Sequence, residues 1–405
     1  MTRFLGFRPD GTIAPHVSDD MNRALQRLGH EVLVIKTQQI HQDAAKVGGL
    51  KAWEPWIARI RDFAPQAALF YGTSGIVIFS DRHKAGGHLL ADLDIPVVPC
   101  FFDDPLFVLG IQNDFGLPKD TPIFVWDRGH LAAMGAAGFT RLQHLPLGTD
   151  PHVFKPLQKP QSRYQHALAF VGSLAKEDAF QKALADADPV IQDLFRRALG
   201  LWDGGRARPF ATILRELSTA LDNVNRERWK LFEASKGFWH LVNALNQTAN
   251  RHWRSQVVGA VAGAGDVGVY GGDTWGFIGQ VYKGGIDYHG HLPRLYASTP
   301  LHLNLTAPQI MTGVNNRVWD VLASGSMVLT DAREELLEEF EEGKEILVFR
   351  SAEEALELSR HWASREPQLR EMARRGRDRV LARHTWDVRM KLAIDRLGEW
   401  GIVKK

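Results

Sequence analysis

The sequence predicts an α/β protein with two doubly wound, Rossmann-like parallel sheets, the second carrying a helical insertion at its start. Three observations predict it. Short apolar runs alternate with helical patterns over the first ~150 residues, which implies βαβ units and a parallel sheet. A linker with Pro156 and Pro160 follows, and a second strand opens after it. From about 179 to 255 the pattern is helical, and from Val267 the alternation of strands and helices returns. The domains expected are 1–160, 161–385 with its insertion, and a closing helix over 386–405.

Taken in order, Phe4 to Phe7 reads as a buried strand. The loop Arg8 to Val17 follows, with Pro9, Gly11 and Pro15. Ser18 is a good N-cap, Asp19 and Asp20 suit a first helical turn, and Met21, Leu25 and Leu28 form the apolar face. Further strands are expected at Glu31 to Thr37, Ala67 to Tyr71, Ile95 to Phe102, Thr121 to Trp126 and Arg141 to Leu145. Helices are expected at Trp53 to Phe63 and His130 to Gly138. Asp103, Asp104, Asp127 and Arg128 fall just after strand ends, where such sheets bind ligands, although acids there also cap helices. In the second half, His166 to Val171 is a strand that ends at the tight turn Gly172-Ser173, where a nucleotide can approach the backbone. The leucines and aromatics of the insertion read as core. Later strands are Val267 to Tyr270, Leu301 to Leu305 and Ile346 to Phe349. Later helices are Leu292 to Ala297, Glu334 to Phe340, Ala352 to Ser364, Pro367 to Arg383 and Trp386 to Leu397.

The stretch Thr312 to Thr330 concentrates the chemistry. Gly313, Val314, Asn315 and Asn316 form a loop that opens onto a helix, Arg317 to Ala323, and Met327 to Thr330 is an apolar strand. A helix start offers free N–H groups and the positive end of the dipole, a place to hold phosphate. Arg317 adds a guanidinium suited to bidentate phosphate contact. Asp320 lies one turn on, on the same side, where a carboxylate can accept from two ribose hydroxyls.

Composition narrows the class. With 405 residues, 44% of them hydrophobic and 24% charged, the chain reads as a soluble globular protein of two or three domains. A net charge of +2 gives no nucleic-acid footprint. No 18-residue apolar run and no apolar leader are present, so a cytoplasmic protein without a transmembrane segment is expected, with peripheral membrane contact left open. The single cysteine, Cys100, fits a reducing compartment. Metal-ligand spacings such as C-x-x-C or H-E-x-x-H are absent, so no metal is expected.

Several segments together resemble the CgeB-like glycosyltransferases, relatives of a large retaining group with the GT-B fold. They include Arg27-Leu28-Gly29-His30-Glu31-Val32, Phe102-Asp103-Asp104-Pro105, Val125-Trp126-Asp127-Arg128 and Leu145-Pro146-Leu147-Gly148-Thr149-Asp150. In the second half they include Phe170-Val171-Gly172-Ser173, Asn316-Arg317-Val318-Trp319-Asp320, Leu329-Thr330-Asp331 and His384-Thr385-Trp386. The resemblance covers most of the chain. It implies two Rossmann-like domains facing across a cleft, a nucleotide-sugar donor held by the second, and metal-independent transfer to a protein or glycan acceptor. It further implies that the tail helix crosses back to the first domain and that the base packs near Gly271 and the Lys283 to Tyr288 segment. This chain departs from the wider group at two places. Of the group's two glutamates seven residues apart, the second falls on Asp320 and the first on Thr312. The arginine usual after the first glycine of the second domain is Ser173 here, which leaves phosphate charge to Arg317, Lys176 or backbone N–H groups.

The donor-binding residues expected are therefore Gly172, Ser173, Gly271, Tyr288, Gly313, Asn315, Asn316, Arg317 and Asp320. If transfer inverts the anomeric centre, a base must reach the acceptor hydroxyl, and Asp103, Asp104 and His16 are the candidates. If transfer retains it, the same residues orient donor or acceptor. Two other readings remain open: a non-catalytic sugar-nucleotide binder or scaffold in a surface-glycan pathway, and a sugar-nucleotide epimerase of the same fold.

Overall fold

The computed structural model describes all residues except 80–82, 84–86, 112–116, 176–183, 186, 203–207 and 405. Lys176, one of the candidate phosphate cations, lies outside the described residues. The chain divides into two units: Met1–Asp150 with Arg383–Lys405, and Pro151–Ala382.

The first unit is built on β1 (Arg3–Arg8), β2 (Glu31–Lys36), β3 (Ala67–Tyr71), β4 (Val97–Phe101), β5 (Ile123–Val125) and β6 (Leu142–His144). They form one parallel sheet in the order β2-β1-β3-β4-β5-β6. Its helices are α1 (Ala14–Arg27), α2 (Thr37–Val47), α3 (Gly49–Phe63), α4 (Leu89–Asp92), α5 (Pro105–Ile111) and α6 (Leu131–Ala136). Strands such as β4 and β5 are buried along their whole length, as helices on both faces of a parallel sheet require. Phe7, Trp53, Phe70, Phe101 and Val125 lie in the core beneath the helices.

The first helix starts earlier than its sequence suggests. Ser18 does not cap it; the helix opens at Ala14 with Pro15 in its first turn, and Ser18 and Asp20 are buried inside it. Proline needs no N–H partner at that position, so it starts a helix as well as a capping serine does. His16 is consequently helical rather than part of a loop.

The second unit contains β7 (Leu168–Val171), β8 (Val267–Tyr270), β9 (Leu301–Asn304), β10 (Met327–Asp331) and β11 (Leu347–Phe349). These pair in parallel, in the order β11-β10-β9-β7-β8. Among the described residues between β7 and β8, the insertion shows the helices α7 (Pro189–Gly200), α8 (Phe210–Ser218), α9 (Asn223–Glu233) and α10 (Lys236–Val261). After β8 come α11 (Leu292–Ser298), α12 (Asn316–Ala323), α13 (Glu334–Glu339), α14 (Ala352–Trp362) and α15 (Glu366–Arg383).

The long helix α10 belongs to two cores. Phe238, Leu241, Val242, Leu245 and Ala249 of its first half pack with Leu194, Phe210, Leu214 and Trp229 of the insertion. Trp253, Val257, Val258 and Val261 of its second half join the sheet core with Phe170, Val269 and Leu303. The helix thus fixes the insertion to the sheet, and it fixes the polar residues of its second half over the strand ends.

The tail, α16 (Trp386–Glu399), is part of the first unit. Thr149 and the residues around Thr385 exchange backbone bonds, from Thr149 N–H to His384 O at 3.0 Å and from Trp386 N–H to Thr149 O at 2.9 Å. The buried Asp150 carboxylate accepts from Arg23 Nε at 3.1 Å, and Asp387 accepts from Arg27 Nε at 2.9 Å. Among the described residues no helix is long and apolar enough to cross a membrane.

One buried residue ties stability to pH. His302, on β9, donates from Nε2 to Thr299 O at 3.0 Å, and its ring is sealed from water. Burial pushes its pKa down to about 3. The unfolded chain, with its histidine near pKa ~6.5, takes up the proton first as pH falls. The stabilisation is complete above pH ~6.5 and is lost progressively toward pH 3. In urea titrations, His302→Asn should remove a slope of up to about 1.4 kcal/mol per pH unit across that window. Equal slopes in the two proteins would show that another group controls the transition.

Candidate active site

In an open parallel sheet the strand order reverses at one point, and the loops leaving the two strands there diverge to opposite faces. The crevice between them accepts ligands. In the second unit this point lies between β7 and β9, since β8 was laid on one side of β7 and β9 on the other. The residues that follow β7, β8, β9 and β10 define the site.

After β7, the Gly172 carbonyl accepts from Trp275 Nε1 at 2.7 Å. Gly172 N–H donates to Tyr270 O at 2.9 Å, which continues the ladder to the end of β8. Ser173 Oγ accepts from Gly272 N–H at 2.8 Å. Gly271 sits at φ 148°, and a Cβ there would lie 2.0 Å from the Gly172 carbonyl oxygen. The two loops are therefore in backbone contact. Gly271 N–H in turn donates to Gly284 O at 3.0 Å, so the segment after Tyr282 is strapped to the β8 end.

On the other side of the switch point, Arg317 Nη1 donates to Asn304 Oδ1 at 2.8 Å, and Asn304 Nδ2 donates to Thr330 Oγ1 at 2.8 Å. This chain ties the first turn of α12 to the ends of β9 and β10. Asp331 closes β10; its Oδ1 accepts from Thr306 N–H at 2.8 Å, and its Oδ2 pairs with Arg333 Nη2 at 2.8 Å. From α10, Arg254 reaches across and donates from Nη1 to Ser173 O at 2.6 Å. Arg254 and Arg317 are close enough for each charge to act on the other.

Asp320 is placed differently from expectation. Its side chain is only 1% exposed, and Oδ2 accepts from Tyr288 Oη at 2.9 Å and from Asn316 Nδ2 at 3.4 Å. Asn316 Nδ2 also donates to Tyr288 Oη at 2.6 Å. Tyr288 packs edge-on against Phe154, with ring centroids 5.6 Å apart. The carboxylate thus anchors Tyr288 and Asn316 from below instead of presenting itself at the surface. A one-turn spacing put Asp320 beside Asn316 correctly, but depth is set by the packing of Val318, Val321 and Leu322 against the sheet. Gly313 is buried, whereas Asn315, Asn316 and Arg317 remain half-exposed at the opening of α12.

Thr312 has a carboxylate after all. Its Oγ1 donates to Glu335 Oε1 at 2.8 Å, and Glu335 N–H donates to Thr312 O at 3.1 Å. Glu335, Arg254, Asn304, Asp331 and Arg333 escaped sequence reading as site residues. Asn304 and Asp331 carried a signal, since each is a polar residue at the end of an apolar strand.

The three base candidates belong to the first unit. Asp104 is nearly buried, and its Oδ1 caps α5 by accepting from Leu106 N–H at 2.9 Å and Phe107 N–H at 3.2 Å. His130 Nδ1 lies 3.8 Å from the same oxygen. Asp127 is a cap as well, accepting from Gly129 N–H at 2.8 Å. Asp103 accepts from Asp104 N–H at 2.9 Å and stays half-exposed, and its charge adds to the burial that raises the Tyr71 hydroxyl pKa. His16 is half-exposed in the first turn of α1. Both therefore stand at the C-terminal edge of their sheet. Among the described residues no group of three or more His, Cys, Asp or Glu side chains is placed to hold a metal ion.

Comparison with known proteins agrees with this architecture. Residues 238–395 match the family model for glycosyl transferase-like domains. Among curated proteins none matches the chain in sequence. Solved structures match over nearly the whole chain. Sucrose-phosphate synthase from Thermosynechococcus elongatus superposes with a TM-score of 0.51 at 11% identity, over 99% of both chains. AviGT4, a glycosyltransferase involved in avilamycin A biosynthesis, gives 0.51 at 13% identity, over 98% of this chain and 97% of that one. HepE of Anabaena in complex with UDP-glucose gives 0.51 at 10% identity, over 98% and 100%. The fold is GT-B. A glycosyl transferase-like domain on that fold indicates a glycosyltransferase.

Proposed function

We propose that this chain is a metal-independent, CgeB-like glycosyltransferase that moves a sugar from a nucleotide-sugar donor to a protein or cell-surface glycan acceptor in the cytoplasm. The second unit takes the donor and the first takes the acceptor. The observation that carries the reading is the convergence at the β7/β9 switch point. On one side of it stands the Gly172 and Gly271 backbone, on the other the Arg317 guanidinium at the opening of α12, bonded to Asn304 at the end of β9. Transfer breaks the bond between the anomeric carbon and the phosphate oxygen, and the nucleoside diphosphate leaves with the electron pair. Cations and helix N–H groups fixed at that oxygen stabilise the leaving charge without reorganising. Asn316 and Tyr288, held by Asp320, shape the nucleotide side of the site. Asp103 and His16 remain the acceptor-side candidates, with Asp104 positioning the turn that carries Asp103.

The reading is tested by thermal shift with UDP, GDP, dTDP, CMP and ADP, each with and without EDTA. The UDP-glucose complex of HepE makes UDP the first to try. One nucleotide is expected to stabilise the protein by about 2.7 kcal/mol at a hundred times its Kd, insensitive to EDTA and weakened in Arg317→Ala. If none stabilises it, there is no donor site of this kind. If the shift disappears with EDTA, the site depends on a metal.

A further inference from the structure

We infer that Arg254, on the helix that anchors the insertion, is the second phosphate-binding cation of the donor site, set to meet the diphosphate of a nucleoside diphosphate. The inference rests on the donor-site reading above and supplies the charge that Ser173 lacks. Its first support is position. Trp253, Val257 and Val258 sink the second half of α10 into the sheet core, so Arg254 is held over the end of β7. From there Nη1 donates to Ser173 O at 2.6 Å.

The second support is what the guanidinium leaves unpaired. Nε is buried and has no hydrogen-bond partner, and Arg254 makes no ion pair with any carboxylate among the described residues. A buried donor left unpaired is costly, and a ligand oxygen is one group that would satisfy it. With Nη1 occupied, Nε and Nη2 remain as the parallel pair of donors that fits two oxygens of one phosphate.

The third support is charge. The positive charges of Arg254 and Arg317 act on each other, and the carboxylate opposing them, Asp331, is already engaged by Arg333 and Thr306. Burial first, and Arg317 second, lower the pKa of Arg254 to about 9, which leaves it protonated at neutral pH. The Arg254 guanidinium, at the Gly172-Ser173 turn, and the Arg317 guanidinium, at the opening of α12, are bonded to neutral oxygens, and a diphosphate would supply the anion they lack. The helical insertion is thereby part of the donor site, because it delivers this arginine.

The test titrates the full chain by calorimetry with pyrophosphate, with UDP, GDP, dTDP and ADP, and with the parent nucleosides. In Arg254→Gln, the nucleoside diphosphate that binds the unmutated protein should bind about 10- to 100-fold more weakly. Pyrophosphate should lose a similar factor, while the nucleoside should bind unchanged. Arg254→Lys should fall between the two proteins. Equal diphosphate affinity in Arg254→Gln overturns the role of Arg254 and leaves the donor site standing; no binding of any diphosphate by the unmutated protein overturns both. Should the Gln variant fail to fold, phenylglyoxal modification of the unmutated protein decides. Pyrophosphate is expected to protect Arg254, and modification at an undiminished rate overturns the inference.

Discussion

Gly271→Ala should destabilise the protein by about 3 kcal/mol and abolish nucleotide binding. The added methyl would meet the Gly172 carbonyl oxygen at 2.0 Å, and the φ of 148° is one that alanine rarely adopts. Backbone stands on both sides of the collision, so no side chain can turn away to relieve it. The β7 and β8 loops must separate instead, which breaks the bonds from Gly172 N–H to Tyr270 O and from Gly271 N–H to Gly284 O. Gly272→Ala is the control: its Cβ would meet Ser173 Oγ at 3.1 Å, the end of a small side chain, and its φ is −65°. That variant should lose less than ~1 kcal/mol. Urea unfolding measures both. Similar stability in the two alanine variants would mean that the loops tolerate separation and that their contact does not shape the site.

The second large effect is expected at Asp320. Removing its carboxylate in Asp320→Ala takes away the buried oxygen that accepts from Tyr288 Oη and Asn316 Nδ2. The expected loss is about 3 kcal/mol. Asp320→Asn keeps an oxygen in place and should lose about 1 kcal/mol. If the anchoring explanation holds, Tyr288→Phe and Asp320→Ala are non-additive, with a coupling of at least ~1 kcal/mol in a double-mutant cycle. Donor affinity should fall ~10-fold or more with the alanine, because Asn316 and Tyr288 lose their orientation and each lost hydrogen bond to a charged group amounts to 1.5–3 kcal/mol. Additive stabilities would show that the carboxylate acts independently of Tyr288. Unchanged donor affinity would remove Asp320 from the site.

Much of the fold was legible locally. The strands Ala67–Tyr71 and Val267–Tyr270 match their sequence bounds because short apolar runs flanked by turn residues have one stable solution. The helix from Asn316 was legible for the same kind of reason, through its apolar face and the loop that opens it. The first helix was misjudged at its start because two rival signals, Pro15 and Ser18, stood within a few residues, and caps compete locally. The helix Thr37–Val47 was missed altogether, since its start has no side-chain cap and only Thr37 and Ile40 are buried.

The sequence by itself determined the α/β class, the two sheets, the helical insertion and the polar residues after strand ends. These follow from periodicity and turn chemistry, which act over a few residues. The tertiary structure alone decided the depth of Asp320, the pairing of Thr312 with Glu335, and the approach of Arg254 to Ser173. The last two residues stand 81 positions apart, and nothing in the local pattern of either points to the other. Their meeting depends on strand order and on how α10 divides its apolar face between two cores. Those are properties of the packed sheet, fixed only when the long-range contacts form.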